Sequence, residues 1–139
     1  MIILDTNVLS ELARQAPEPT VIAWLDRQDP ADVCTTSITA AELFNGIARL
    51  PAGARKTRLA QSVGDLLEQD LASRVIAFGL EAARQYATVV SDRERSGRPI
   101  AAADGQIAAI CRDLEATLAT RNVKDFEDTG ISLVNPWLT

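Results

Sequence analysis

The chain has 139 residues, 47 % of them hydrophobic and 24 % charged, with a net charge of −5 and no histidine. That length makes one domain, residues 1–139, with a sizeable core, and no apolar run approaches the ~18 residues that a membrane span needs. The missing histidine excludes Ser-His-Asp and Cys-His nucleophilic systems, histidine-based ribonuclease chemistry and the common zinc sites. The acidic balance argues against a module that grips nucleic acid by counterion release alone, although a bound cation reverses the local field. The first strand begins at residue 2, which leaves no room for a signal peptide, so the expected compartment is the cytoplasm. Cys34 and Cys111 lack C-x-x-C spacing and read as small buried hydrophobes.

The chain opens on Ile2-Ile3-Leu4, a continuous apolar run that suits a strand buried on both faces, and runs straight into Asp5-Thr6-Asn7. Short helices follow at Asn7 to Arg14 and Thr20 to Gln28, separated by Pro17 and Pro19. Val33 to Thr36 is the second strand. Helices are expected from Ala40 to Leu50 and from Ala54 to Gln69, divided by Pro51-Ala52-Gly53. Arg74 to Phe78 is the third strand, followed by a long helix from Leu80 to Arg95. After the loop Ser96 to Pro99, Ile100 to Leu114 is helical. Thr117 to Thr120 is the fourth strand, Val123 to Asp128 a helical turn, and Ile131 to Val134 the last strand. Strands alternating with helices predict an α/β three-layer sandwich around a central, mainly parallel sheet of four to five strands.

Three acids stand out. Asp5 falls at the C-terminal end of a strand, the edge where open α/β sheets bind ligands. Glu42 begins a helix after the next strand, on a polar face with Asn45, Gly46 and Arg49. Asp104 borders the apolar stripe of its helix, formed by Ile100, Ala103, Ile107, Ile110, Cys111 and Leu114. None of the three has a Lys or Arg three or four residues away. Asn122 and Asp125 follow the fourth strand. Each residue also has a purely structural reading. Asp5, Asn122 or Asp125 can cap the next helical segment, and Thr39 with Glu42 can form a capping box. Asp104 can be a solvated acid in a first helical turn. Gathered at one sheet edge, the carboxylates would repel one another and need raised pKa values or a cation. Oxygen ligands without histidine or thiolate select Mg2+ or Mn2+, which typically act on phosphate esters.

Met1 to Asn7, Thr39-Ala40-Ala41-Glu42-Leu43, Ala101-Ala102-Ala103-Asp104 and Ala119-Thr120-Arg121-Asn122-Val123-Lys124-Asp125-Phe126 resemble, in order and spacing, the motifs of PIN-domain ribonucleases. The resemblance is closest to the VapC-like (FitB-like) toxins of bacterial toxin–antitoxin pairs and extends to Asn135-Pro136-Trp137. It implies a PIN-like fold and a Mg2+- or Mn2+-dependent endoribonuclease with an RNA substrate. Its acidic cluster carries over as Asp5, Glu42 and Asp104, the metal ligands, with Asn122 or Asp125 completing the catalytic set and Thr6 orienting a ligand or water. It also implies a cognate antitoxin and a homodimer. Arg49, Arg98, Arg121 and Lys124 are candidate phosphate contacts, each with ordinary surface charge as its alternative. Two other readings stay open. One is an interaction module whose acids are caps and surface charges, including a degenerate family member. The other is an aspartyl-nucleophile phosphatase, whose Asp-x-Asp opening is matched here only as Asp5-Thr6-Asn7.

Overall fold

Every apolar run singled out above forms a strand in the computed structural model, which describes residues 1–139. The strands are β1 (Ile2–Leu4), β2 (Val33–Thr36), β3 (Val75–Ile76), β4 (Thr117–Ala119) and β5 (Ser132–Val134). The helices are α1 (Thr6–Leu12), α2 (Pro19–Asp26), α3 (Ser37–Ala48), α4 (Ala54–Asp65), α5 (Leu80–Arg95) and α6 (Ala102–Leu114). All pairings are parallel, and the sheet order is β3-β2-β1-β4-β5. The expected α/β sandwich is therefore present, with five strands and no antiparallel member.

The continuous apolar strands are explained by burial on both faces. Leu4 points into one core with Val8, Leu9, Val21, Trp24, Leu43, Ile47 and Val63, the side chains of α1 to α4. Ile3, one residue earlier, points into the opposite core with Val89, Ile107, Ile110, Leu118 and Phe126, under α5 and α6. Alternation along a strand sends neighbouring residues to opposite faces, so a three-residue strand anchors both layers. Cys34 and Cys111 are buried free thiols in the second layer. Burial raises the pKa of both, that of Cys111 to about 12 with the Asp5 charge adding to the effect, so both are poor nucleophiles.

Several element boundaries differ from the sequence expectation. Helix α3 starts at Ser37, not Ala40, because Thr36 is its cap and accepts the Thr39 N–H at 3.1 Å. The Thr39–Glu42 capping box is thereby ruled out. Helix α6 starts at Ala102, with Ile100 and Ala101 left outside it after Pro99, and ends on Glu115 in the left-handed conformation (φ 51°). Leu114, expected on the buried stripe, is 37 % exposed. The stretch after α4 turns as a π-helical segment, Leu66–Asp70, and β3 at the sheet edge keeps only two residues. No helix is long and apolar enough to cross a membrane.

Candidate active site

The sheet order reverses between β1 and β4: the chain builds outward from β1 to β2 and β3, then returns to the other side of β1. In doubly wound sheets that reversal opens a crevice at the C-terminal ends of the two strands. Asp5 follows β1 and Thr120 follows β4, so the topology places them side by side.

Asp5 is 4 % exposed, and both of its oxygens are engaged. Oδ1 accepts the Thr6 N–H at 2.8 Å, the capping role that its position predicted. Oδ2 accepts the Thr120 hydroxyl at 2.7 Å and the Asn7 amide at 3.2 Å. The carboxylate is therefore a cap and also the centre of a network. Thr120 Oγ1 accepts from Asn7 Nδ2 at 3.3 Å and from the Asn122 N–H at 3.1 Å, while Asn7 Oδ1 accepts the Arg121 N–H at 3.0 Å. Burial raises the Asp5 pKa, and the hydrogen bonds from Thr120, Thr6 and Asn7 pull against that rise while the Glu42 charge adds to it. Three donors on its two oxygens fix the position of the acid. Asn7, where an aspartyl phosphatase carries its second acid, instead donates to Asp5.

Glu42 sits on the second turn of α3, with its side chain open to the cleft. Its Oε1 accepts the Thr6 hydroxyl at 2.6 Å, and Thr6 Oγ1 lies 3.3 Å from Thr39 Oγ1. Thr6 thus ties Glu42 to Asp5, donating its hydroxyl to one and its N–H to the other. Asp104 occupies the first turn of α6 and is half-buried. Its pKa is pushed up to about 6, by burial first and then by the charges of Asp5, Asp125 and Glu42, with Arg93 opposing. Those causes place Asp5, Asp125 and Glu42 within electrostatic reach of Asp104.

Asp5, Glu42 and Asp104 line a cleft of about 930 Å³ that runs between α1, α3 and α4. Asp5, Thr6, Asn7, Glu42, Asp104 and Asn122 form its polar end. Asn122 makes no side-chain cap to the turn at Val123–Phe126. Asp125 lies on that turn outside the cleft lining, and its charge is felt at Asp104 from there.

Of the four candidate cations, Arg121 alone lines the cleft. Arg98 is committed within the chain, to Glu127 at 3.1 Å, Asp128 at 3.0 Å and the Lys124 carbonyl at 3.2 Å. Arg49 is the exposed C-cap of α3, and Lys124 is exposed on the 3-10 turn. The cations that do reach the cleft and were not singled out are Arg14, Arg55 and Arg58. Arg14 is paired with Glu11 at 2.8 Å.

A further arginine holds the site from behind. Arg93 of α5 is 5 % exposed. Its Nε donates to the Arg98 carbonyl at 2.6 Å, and its Nη1 donates to the carbonyls of Asp125 at 2.8 Å and Glu127 at 3.0 Å. One guanidinium therefore joins the loop that launches α6, and with it Asp104, to the turn that carries Asp125. In the sequence it is one of two arginines in Arg93-Glu94-Arg95, with no local mark of its role.

The donor set fits a hard divalent cation: carboxylate, amide and hydroxyl oxygens, no imidazole or available thiolate, and neighbouring carboxylates that help to raise the pKa of Asp5 and Asp104. The acids do not converge into a closed cage of three ligands. Mg2+ commonly binds through one or two carboxylates and completes its shell with water and substrate phosphate.

Residues 2–131 match the PIN domain family. The chain is 41 % identical over 137 residues to VapC ribonuclease Y4jK of Sinorhizobium fredii, covering 99 % of this chain and 98 % of that protein. It is 39 % identical to Toxin FitB of Neisseria gonorrhoeae, covering 99 % of each. The crystal structure of FitAcB from Neisseria gonorrhoeae superposes with a TM-score of 0.91 over the full length of both chains, at 39 % identity. The chain belongs to the PIN-domain family, in its VapC-like and FitB-like branch.

Proposed function

We propose that this single domain is a Mg2+- or Mn2+-dependent endoribonuclease that acts in the cytoplasm as the toxin of a toxin–antitoxin pair. The observation that carries the reading is the carboxylate group itself: Asp5, Glu42 and Asp104, from three distant segments, share one cleft at the sheet's switch point. The relatives support it, one being named a ribonuclease and another a toxin.

In this reading Asp5, Glu42 and Asp104 hold the cation, with Asn122 or Asp125 completing the set. When bound, the cation supplies the charge that activates water for attack on an RNA phosphodiester and that stabilises the leaving oxygen. The chain's own residues do the positioning. Thr120, Asn7 and the Thr6 N–H fix both oxygens of Asp5, and the Thr6 hydroxyl orients Glu42. Arg93 holds the two loops behind Asp104 and Asp125. The acidic pocket also invites a guanidinium, so an antitoxin arginine entering it would compete with the cation. Helices α4 and α5 are the candidate surfaces for a homodimer.

The test uses the antitoxin-free protein beside Asp104→Asn, each incubated with a pool of structured RNAs in Mg2+, in Mn2+ and in EDTA. The expected result is discrete cleavage that needs the metal and is lost in the variant. A wild-type protein that neither cuts RNA nor gains melting temperature from Mn2+ would overturn the reading, because a ligand bound only by the folded state must stabilise it.

A further inference from the structure

The cleft lining carries a cation–π pair built from two distant parts of the chain. Arg121 follows Thr120 directly, and its N–H is fixed by Asn7 Oδ1 at 3.0 Å. Its side chain lies over Trp137, with the guanidinium carbon 5.0 Å from the ring centroid. Trp137 belongs to the 3-10 turn Pro136–Leu138 and is anchored twice. Its N–H donates to Asn135 Oδ1 at 2.9 Å, and its ring packs against the core beneath α1 to α4. Both side chains line the cleft that holds Asp5, Glu42 and Asp104. Arg121 is exposed and takes part in no salt bridge.

The pairing has a chemical reading. An acidic pocket in a chain of net charge −5 repels a polyanion, so a nucleic acid strand needs a cationic hold close to the acids. A guanidinium stacked on an indole is planar, weakly hydrated and always charged, with donor edges left free. Flat aromatic and guanidinium surfaces are what unstacked RNA bases settle on, and the N–H edge suits a phosphate. A peptide would find its apolar contacts further along the groove, at Leu43, Ile47 and Leu59.

We propose that Arg121, held over the ring of Trp137, is a binding site for one nucleotide of single-stranded RNA, with a base on the outer face of the pair and a neighbouring phosphate on the guanidinium edge. The substrate class rests on the nuclease reading; the placement of the guanidinium over the indole does not.

The two tryptophans make the test direct, because Trp24 is 4 % exposed while Trp137 is partly open. A mixed-sequence 2′-O-methyl RNA decamer is titrated in EDTA, where no metal-dependent cleavage occurs, and tryptophan emission is followed. The expected result is quenching by the decamer and roughly tenfold weaker binding in Arg121→Lys, which keeps the charge and loses the plane. The Arg121 side chain is exposed, so the variant should melt with the native protein, and melting curves check this. Binding by Arg121→Lys within twofold of the native protein would overturn the proposal in favour of a simple charge contact. Absence of quenching would also overturn it and leave this face to a protein partner. The two readings fail separately. Metal-dependent cleavage with Arg121→Lys binding unchanged removes the stacking site and keeps the nuclease. Arg121-dependent quenching without any cleavage does the reverse.

Discussion

On one face of the sheet, α5 and α6 close over Ile107, Ile110, Val89 and Phe126, all 1 % exposed or less. On the other face, α1 to α4 leave a cleft of about 930 Å³, so that Leu59 and Leu50 are only partly covered. Both layers send an acid to the same edge: Asp104 comes from the tight layer and Glu42 from the open one. The difference shows how the fold divides the work. A carboxylate that its neighbours repel must be held by something rigid, and the α5/α6 layer supplies that backing through close packing and through Arg93. The open layer supplies access and cationic side chains, and it gives up packing to do so.

If the layers differ in this way, substitutions in them should differ in cost. Ile107→Ala, in the tight layer, should lower stability by about 2–5 kcal/mol in denaturant unfolding. Arg93→Met should cost about 3 kcal/mol, because it strips the donors from the Arg98, Asp125 and Glu127 carbonyls at once. A loss under about 1 kcal/mol would mean that those loops are held by other contacts. Thr120→Val keeps the shape and removes the hydroxyl that serves Asp5 and Asn122. It should cost about 2 kcal/mol and raise the Mn2+ concentration needed for half-maximal stabilisation, read from melting curves. Leu59→Ala, in the cleft wall, should cost only about 1 kcal/mol. A value equal to that of Ile107→Ala would erase the contrast between the layers.

The last expected effect is one of pH. The Asp104 pKa is raised from its ordinary 3.8 to about 6. The folded state therefore binds a proton that the unfolded chain has released across that window. Stability that is fully present below pH 4 is lost as pH rises through 6. Thermal melts without metal should show this slope, and Asp104→Asn should flatten it.

Much of this was legible in the sequence, and the boundary is physical. Continuous apolar runs and helical stripes are local signals, so the strand–helix alternation and the edge position of Asp5 could be read directly. The absence of a basic neighbour at helical spacing marked Asp5, Glu42 and Asp104, and all three line one cleft. Local spacing misled where two answers fit it. Thr36 and Thr39 are three residues apart and either can cap a helix; tertiary packing selected Thr36, which freed Glu42 for Thr6. The remaining features join residues that no local pattern links. Thr120 reads as one more strand residue, and Arg93 as one more helix-surface arginine. Trp137 is 16 positions from the side chain that it stacks against. Arg98 looked like a free cation because Glu127 and Asp128 approach it only after the chain has folded back.

The pairing of β1 with β4 bears on how the molecule is made. Ile2 aligns with Thr117, and Leu4 with Ala119, so the central pair of the sheet joins the first strand to one synthesised near the end. Such distant pairing is slow, because a long loop must close before its contacts form. On the ribosome, Asp5 emerges early and waits for Thr120, with β1 lacking a neighbour on one side. Until residue 120 has cleared the exit tunnel, the carboxylate site has no floor, and Asp5 lacks the hydroxyl that fixes its Oδ2.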